Sequence, residues 1–289
     1  MKILIIGAYG FLGTHILKEL LQNSVYDIHV LVKESSEPKF NLKGSYTKHI
    51  YGSIGLNKAL KAKKIEVIIN CSVCYGKYEN SSLVYKTNFI LPTEIIELLN
   101  DSIKVFINFD SYFNKEEFKN YKYLEDYIKS KLFFISSIDP DINYSFLNLR
   151  IEHLYGLYDS DHKFFYKMYS NIRRNKPSID LTDGNQKRDF IYIKDLVDLV
   201  IMMLEKNYWK KGKKIFSVGT GNSISIKDCL ELMKNELNSK TILNFGSIAL
   251  RKNEIMDSKS SYKNLNSEYG WTPKFNLKEG IINMIENDK

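Results

Sequence analysis

The stretch Met1-Lys-Ile-Leu-Ile-Ile-Gly-Ala-Tyr-Gly-Phe-Leu-Gly13 decides the fold of this chain. Its apolar, β-prone run ends at Gly7, and Gly10 and Gly13 follow at three-residue intervals. Apolar side chains then recur at helical spacing through residues 11–21. This pattern predicts a strand, a tight glycine turn and a helix. Such a turn directs backbone N–H groups and the positive end of the helix dipole at one point, which suits a pyrophosphate.

The three glycines have different expected roles. Gly7 permits the turn, Gly10 allows a phosphate to approach closely, and Gly13 allows the helix to pack on the strand. An ordinary glycine-rich turn is the alternative, but the position directly after a clean strand favours a dinucleotide site. The remaining side chains expected at this site are Tyr9, Phe11 and Leu12.

Predicted strands and helices alternate over the first 150 residues. Strands are predicted at residues 2–6, 28–32, 46–50, 65–69, 104–109 and 144–149, and helices at or within residues 11–22, 56–63, 81–100 and 116–136. Strands separated by helices imply right-handed crossovers and a parallel sheet covered on both faces. The sequence therefore predicts an α/β, Rossmann-like doubly wound sheet over residues 1–150. Residues 151–289 are predicted to form mainly a smaller substrate-binding lobe, with parts that can return to the main sheet.

Composition narrows the class of protein. The formal net charge is +8, and the basic residues are mostly lysines spread along the chain, which favours a solvated surface over a nucleic-acid site. No run reaches the ~18–20 apolar residues of a membrane span, and no secretory signal is apparent. We therefore expect a cytoplasmic protein without a membrane partner. Too few ligands accompany Cys71, Cys74 and Cys229 for zinc or redox chemistry, so they are predicted to be buried thiols and no metal is expected.

A tyrosine and a lysine form the first candidate for catalysis. Tyr127 and Lys131 are four residues apart in a predicted helical segment and therefore share one face. A tyrosine hydroxyl, with a pKa of about 10, is a poor acid–base catalyst at neutral pH, and a nearby ammonium is expected to lower that pKa. Tyr127 can then protonate a carbonyl oxygen as hydride arrives. A solvated helix face is the alternative interpretation.

The fifth predicted strand ends in polar residues. The sequence Val105-Phe-Ile-Asn-Phe-Asp-Ser-Tyr112 places Asp110 and Ser111 at its carboxyl end, where ligands of such sheets bind. Ser111, with Asp110, is expected to orient the substrate oxygen. A purely local role in a turn is the alternative for either residue.

The glycine turn, the strand-end serine and the Tyr127/Lys131 pair together resemble the extended short-chain dehydrogenase/reductase family, which includes the NAD-dependent nucleotide-sugar epimerases and dehydratases. The resemblance places Lys131 on the nicotinamide ribose and Asn88 beside the cofactor. It also implies a homodimer formed through the helices of residues 81–100 and 116–136.

The second half of the chain carries further parts of the resemblance. Asp183–Tyr192 resembles the family's phosphate-binding segment, which puts Arg188 on the substrate diphosphate, and Arg251 resembles a second such arginine. A surface salt bridge to Asp189 or Asp195 is the alternative for Arg188. Glu152-His153 is similar to the junction found in reductases that complete CDP-linked dideoxy sugars, such as abequose and paratose, for surface polysaccharides. His153 is thus a candidate substrate ligand, or a packing histidine.

Departures from the family pattern help to choose the reaction. Phe109-Asp110-Ser111 stands where the 4,6-dehydratases carry Thr-Asp-Glu. The missing glutamate argues against a dehydratase. The usual Ser/Thr position falls on Phe109, so Ser111 has to act from two residues further along.

The choice of cofactor depends on the end of the second strand. Lys33 suits a ribose 2′-phosphate, which favours NADP(H), whereas the following Glu34 keeps NAD(H) open. Ser53, followed by Ile54, stands where the family has its adenine-binding aspartate.

The sequence as a whole predicts an enzyme that uses NAD(P)H to reduce the C4 keto group of a nucleoside-diphosphate 4-keto-6-deoxy sugar. Two alternatives remain. One is a nucleotide-sugar epimerase that keeps a tightly bound NAD, and the other is a non-catalytic dinucleotide-binding protein.

Overall fold

The computed structural model of the chain describes residues 1–118, 121–207 and 209–288. The first half alternates strands and helices: β1 (Lys2–Ile6), α1 (Phe11–Leu20), β2 (Asp27–Val32), β3 (Thr47–Ile50), α2 (Leu56–Lys63), β4 (Val67–Asn70), α3 (Ser81–Tyr85), α4 (Leu91–Leu99), β5 (Val105–Ser111), α5 (Glu125–Ser137) and β6 (Ser145–Ile151). The second half adds β7 (His153–Tyr155), α6 (Phe164–Arg173), β8 (Ser178–Asp180), β9 (Lys187–Arg188), β10 (Phe190–Tyr192), α7 (Ile193–Lys206), β11 (Gly212–Val218), β12 (Ile224–Ser225), α8 (Ile226–Glu236), β13 (Ile242–Asn244), β14 (Asp257–Ser258), α9 (Lys263–Tyr269) and α10 (Leu277–Asn287).

Seven strands form one sheet in the order β11-β6-β5-β4-β1-β2-β3. The pairs β3–β2, β2–β1, β1–β4 and β4–β5 are parallel. Strands β1, β4 and β5 are buried over almost their whole length, as expected of a sheet with helices on both faces. The order reverses between β1 and β4, which is the position where doubly wound sheets bind their ligands. The predicted Rossmann-like fold is confirmed.

The chain divides into two compact units. The first unit comprises residues 1–150 and 200–216, and the second comprises residues 151–199 and 217–289. The residues 200–216 of the first unit include the C-terminal part of α7 and most of β11, so the main sheet is completed by chain from the second half.

Two predicted helical segments differ in detail. Residues 81–100 form α3 and α4 with a π-helical turn, Lys86–Ile90, between them. In the segment 116–136 the α-helix occupies only the C-terminal part, because Leu124, just before Glu125, has a positive φ of 58°. A short 3₁₀ turn, Glu116–Phe118, precedes it, and residues 119 and 120 lie outside the described part.

Two further expectations concern the helices and the cysteines. No helix in the described residues is both long and apolar enough to cross a membrane. The thiols are unbridged; Cys74 and Cys229 are buried, and Cys71 is partly buried.

Candidate active site

The turn after β1 has the predicted glycine geometry. Gly7 has a φ of +71°, which L side chains rarely adopt. Its N–H donates to the Leu31 carbonyl (2.9 Å), and its own carbonyl accepts from the Gly10 N–H (3.0 Å). The N–H of Thr14 donates to the Gly10 carbonyl (2.9 Å) as α1 begins. The N–H groups just before Thr14 lie in the first turn of the helix, so they have no intrahelical acceptor and point toward the turn.

The space around the glycines tests whether a dinucleotide fits here. A Cβ on Gly7 would lie 2.9 Å from the Ser72 backbone, and a Cβ on Gly13 would collide with the Gly7 carbonyl and lie 2.8 Å from the Ala8 Cα. By contrast, a Cβ on Gly10 would meet only the Gly7 carbonyl, at 3.3 Å. The turn is therefore tightly packed on its protein side and open above Gly10, which fits close approach of a pyrophosphate.

The other predicted cofactor residues also belong to the first unit. Tyr9 is buried, and its hydroxyl is 3.0 Å from that of Tyr46. Lys33 is exposed directly after β2. Ser53 lies in the turn after β3, where its hydroxyl donates to the Ile50 carbonyl (2.8 Å). Three more predicted residues share the region: Phe11 and Leu12 are partly buried in the first turn of α1, and Ile54 is fully exposed beside Ser53.

The structure brings Tyr127, Ser111 and Lys131 together. All three are buried, at 5 %, 7 % and 6 % exposure. The Ser111 side chain lies close enough to the Tyr127 phenol to lower its pKa. The Lys131 ammonium lies 5.7 Å from the centre of the Tyr127 ring and donates to the Phe109 carbonyl (2.6 Å). Because alternate residues of a strand share a face, Phe109 and Ser111 point the same way from β5, and Phe109 contributes its carbonyl rather than its side chain.

The pKa of Tyr127 differs from the sequence-based expectation. Burial raises the pKa of the phenol well above its usual 10, and the neighbouring Tyr75 and Asp110 raise it further, whereas the hydrogen bond from Ser111 opposes the shift. The lowering expected from Lys131 is therefore wrong for this structure, because desolvation of the charged phenolate outweighs it. Tyr127 is a neutral phenol that can give a proton but does not readily lose one to water.

Asp110 is engaged by other protein groups. Its Oδ1 accepts from the Asn114 amide (2.6 Å), and its Oδ2 accepts from the Asn148 amide (3.2 Å) and from Nε of Arg150 (3.3 Å). Its side chain is completely buried. With three donors on two oxygens, Asp110 holds neighbouring segments in place, and little acceptor capacity is left for a substrate.

Asn88 lies in the π-helical turn and contacts two parts of the site. Its Oδ1 accepts from the Cys74 N–H (2.8 Å), and its Nδ2 donates to the Cys74 carbonyl (2.8 Å) and to the hydroxyl of Ser130 (3.0 Å). The loop after β4 and the helix that carries Tyr127 and Lys131 are thereby joined. π-Turns inside helices are frequent at functional sites.

The predicted substrate residues belong to the second unit. Arg188 is almost buried and forms a salt bridge with Glu254 (2.6 Å), while Nη1 donates to the Ile255 carbonyl (2.6 Å). Arg251 is exposed at the start of the turn that leads to Glu254, whose N–H donates to the Arg251 carbonyl (3.2 Å). Arg188 thus forms a salt bridge, but this bridge is nearly buried and joins Arg188 to Glu254, whereas the predicted alternative was a surface salt bridge to Asp189 or Asp195.

His153 follows a buried carboxylate. Its Nδ1 lies 3.8 Å from Oε2 of Glu152, and burial lowers the pKa of His153 below its usual value. Glu152 accepts from the hydroxyls of Ser258 (2.7 Å) and Ser260 (2.8 Å). Glu152 therefore anchors the segment around β14 within the second unit.

Several polar residues that support the site were not predicted from the sequence. Asn70, Asn108 and Asn148 lie on three adjacent strands and are almost fully buried. The signal that could have identified them is the presence of amide side chains inside otherwise apolar strands. A polar residue in a buried strand departs from the usual pattern and often has a specific hydrogen-bonding role. Tyr75, which stacks on Tyr127 at 4.8 Å between ring centres, carried no comparable signal.

A Rossmann-like sheet with a glycine turn and a buried Ser/Tyr/Lys group is typical of dinucleotide-dependent enzymes of the short-chain dehydrogenase/reductase type. The model of the NAD dependent epimerase/dehydratase family matches residues 3–219, and the chain belongs to this family, as the sequence predicted. The CDP-abequose synthase of Salmonella muenchen is 34% identical over 98% of this chain and 97% of its own length, and that of Salmonella typhimurium is 30% identical over the same shares.

Solved structures support the same fold. The UDP-glucose 4-epimerase of Thermus thermophilus in complex with NAD superimposes with a TM-score of 0.82 at 16% identity, over 99% of this chain and 98% of that one. At this level of identity the similarity concerns the fold. Because the chain belongs to the NAD dependent epimerase/dehydratase family, a nicotinamide dinucleotide is its expected cofactor. The open side of the glycine turn at Gly10 fits such a ligand.

Proposed function

We propose that this protein reduces the C4 keto group of a nucleoside-diphosphate 4-keto-6-deoxy sugar with NADPH. The observation that carries the proposal is the buried group of Tyr127, Ser111 and Lys131, with the Lys131 ammonium at the face of the Tyr127 ring. The near full-length similarity to CDP-abequose synthases supports it.

The chain's own groups account for the proton side of this reaction. A bound reduced dinucleotide supplies hydride to the carbonyl carbon. Tyr127 donates its proton to the carbonyl oxygen, which gains negative charge during the reaction. Ser111 orients that oxygen and the phenol through its hydroxyl. The raised pKa keeps the phenol protonated at neutral pH but makes it a weaker acid. The phenolate that forms therefore needs the nearby Lys131 ammonium to stabilise it.

Lys131 has two tasks in this proposal. Its contact with the Phe109 carbonyl fixes the ammonium beside the Tyr127 ring. There it can bind the nicotinamide ribose and stabilise the phenolate that remains after proton transfer. Asn88 keeps the same helix in place through Ser130.

Charged side chains are proposed to recognise the phosphate groups of the cofactor and of the substrate. Lys33, exposed at the end of β2, is proposed to bind the 2′-phosphate that distinguishes NADPH from NADH. Arg188 and Arg251 are proposed to bind the substrate diphosphate, with His153 as a further substrate contact. Because Glu254 already occupies Arg188, a diphosphate has to take the place of that carboxylate.

We also propose a homodimer formed through α5 and the helical region of residues 81–99. Apolar side chains are exposed here within one unit: Phe133 is 51 % exposed, Leu132 38 % and Ile90 42 %. Tyr85 and Phe89 pack beside Phe133. Light scattering should give twice the chain mass for the wild type and the monomer mass for Phe133→Glu. A monomeric wild type would exclude this interface.

The experiment that tests the proposed reaction mixes the protein and NADPH or NADH with CDP-, dTDP-, GDP- and UDP-linked 4-keto-6-deoxy sugars. Loss of the reduced nicotinamide's near-ultraviolet absorbance with one of them supports the reductase and identifies both the nucleotide and the cofactor. Absence of any loss, with NAD⁺ released from the purified protein on denaturation, would instead support the epimerase. Absence of both would support the non-catalytic alternative.

A further inference from the structure

A continuous chain of hydrogen bonds crosses three neighbouring strands in the first unit. Asn70 of β4 donates to Oδ1 of Asn108 on β5 (3.0 Å), and Asn108 donates to Oδ1 of Asn148 on β6 (2.7 Å). Asn148 donates in turn to Oδ2 of Asp110 (3.2 Å). Each amide uses its oxygen toward the previous residue and its nitrogen toward the next, so the chain has one direction and ends on a carboxylate. We call these three residues the amide chain.

The start of the amide chain lies at the glycine turn. The N–H and the hydroxyl of Ser72 both point at Oδ1 of Asn70, at 3.3 Å and 2.6 Å. The Ser72 backbone is also the surface that a side chain on Gly7 would strike, at 2.9 Å. The amide chain therefore begins at the floor of the proposed dinucleotide site.

The amide chain ends on Asp110, whose charge acts on the Tyr127 phenol. Asp110 immediately precedes Ser111, and its Oδ1 accepts from Asn114 (2.6 Å), the last residue of the 3₁₀ turn Tyr112–Asn114. The Ser111 hydroxyl caps that turn by accepting from the Phe113 N–H (3.3 Å). Asp110 thus holds the segments on both sides of Ser111, the residue that acts on the pKa of Tyr127.

Burial makes this arrangement costly to break. Asn108 and Asn148 are 2 % and 0 % exposed, so a lost partner would leave an amide or a carboxylate oxygen without water to replace it. Hydrogen bonds in such a chain also polarise one another. A rigid, fully bonded polar chain is a means of holding a side chain in one position.

We propose that Asn148, supported by Asn108, is a positioning residue that acts through Asp110 on the Ser111–Tyr127 pair. This inference rests on the proposed function only for its kinetic readout. Neither Asn148 nor Asn108 contacts Tyr127 in the hydrogen bonds described above, so neither is a catalytic residue. Their role is to keep the proton donor and its serine partner aligned with a carbonyl oxygen.

The test is a double-mutant cycle with Asn148→Ala and Asp110→Asn. In turnover, Asn148→Ala should lower kcat by about tenfold or more with little change in the KM for NADPH, which corresponds to about 1.4 kcal/mol or more of transition-state stabilisation. The same substitution in the Asp110→Asn background should have little further effect. Equal, additive losses in both backgrounds would overturn the proposal, because they would show that Asn148 does not act through Asp110.

A second readout needs no substrate. The ¹³Cζ resonance of Tyr127 in tyrosine-labelled protein, assigned by its loss in Tyr127→Phe, reports on the phenol directly. The charged and titratable groups around this phenol are Tyr75, Asp110, Tyr112 and Lys131. We expect Asn148→Ala to change the position or the pH titration of this resonance, and the change to vanish in the Asp110→Asn background. An unchanged resonance in Asn148→Ala would overturn the proposal even if the protein reduced no keto sugar.

Two further variants separate positioning from folding. Ser145→Ala changes a buried side chain on the same strand, whose hydroxyl has no hydrogen-bond partner within the described residues. It should leave kcat and the Tyr127 resonance as in the wild type. If Asn148→Ala does not fold, Asn148→Ser retains a hydroxyl for Asn108 but is too short to reach Asp110. We then expect Asn148→Ser to lower kcat and to change the Tyr127 resonance, and both effects to vanish in the Asp110→Asn background. Absence of these effects would contradict the proposal.

Discussion

Replacement by alanine should destabilise the fold at Gly13 but weaken cofactor binding at Gly10. A methyl group on Gly13 would collide with the Gly7 carbonyl and lie 2.8 Å from the Ala8 Cα and 2.9 Å from the Ala8 carbonyl carbon. These are backbone atoms of the turn, so α1 has to move away from β1. A methyl group on Gly10 meets only one atom, at 3.3 Å, and the φ of −71° at Gly10 suits any residue.

The expected magnitudes follow from these distances. Overpacking of this kind costs about 1–3 kcal/mol, and at about 2–4 °C per kcal/mol Gly13→Ala should lower Tm by about 2 to 12 °C. Gly10→Ala should change the free energy of unfolding by less than about 0.5 kcal/mol. Its methyl group nevertheless fills the open side of the turn, so NADPH should bind at least about tenfold more weakly, a loss of about 1.4 kcal/mol.

Thermal unfolding of the two variants without ligand, followed by titration of NADPH fluorescence, separates the two effects. Gly13→Ala should be destabilised, and Gly10→Ala should be stable but weak in binding. If Gly10→Ala bound NADPH as tightly as the wild type, the dinucleotide could not lie over this turn. If Gly13→Ala had the wild-type Tm, the close packing of α1 on β1 would be wrong.

Three more predictions concern the acid, the cofactor and pH. Tyr127→Phe should lower kcat by about 10²–10⁴, whereas the control variant Tyr144→Phe, at another buried tyrosine, should leave kcat unchanged. Near-normal turnover of Tyr127→Phe would show that Tyr127 is not the acid. Lys33→Glu should weaken NADPH binding by about tenfold and leave NADH binding nearly unchanged; an equal effect on both dinucleotides would exclude the 2′-phosphate contact. Burial lowers the pKa of His29 and of His49, whose ring nitrogens are 3.1 Å apart. The folded state therefore disfavours the charged forms of both histidines. Their contribution to the free energy of unfolding should be complete above about pH 6.5, and the protein should lose stability as the pH drops below it. Urea unfolding at several pH values checks this, and a replacement of both by leucine should flatten the curve.

Sequence reasoning succeeded where the signal was local. The glycine turn and the Tyr127/Lys131 spacing are fixed by geometry over a few residues, so strand, turn and helix follow from the pattern. The apparent shift from Phe109 to Ser111 has an equally local explanation, because these positions share one face of a strand. The segment 116–136 contains the predicted helix, but its first residue could not be predicted, since nothing in the sequence marks Leu124 as a residue with positive φ.

The remaining features depend on contacts between distant parts of the chain. The bonds of the amide chain join residues 38 and 40 positions apart, and Glu254 meets Arg188 across 66 positions. A single sequence does not show which buried polar groups will meet. The raised pKa of Tyr127 is of the same kind, because its main cause is burial by the folded protein.

The central claim is that hydride passes to C4 of a keto sugar while Tyr127 protonates the oxygen. The most direct measurement uses NADPH carrying deuterium at the transferred position, with the keto sugar that supports turnover, and determines the product by NMR. The account predicts one deuterium at C4 of the sugar for each NADPH oxidised, and loss of this product in Tyr127→Phe. A sugar converted without deuterium while NADPH remains intact would contradict the account and indicate an epimerase.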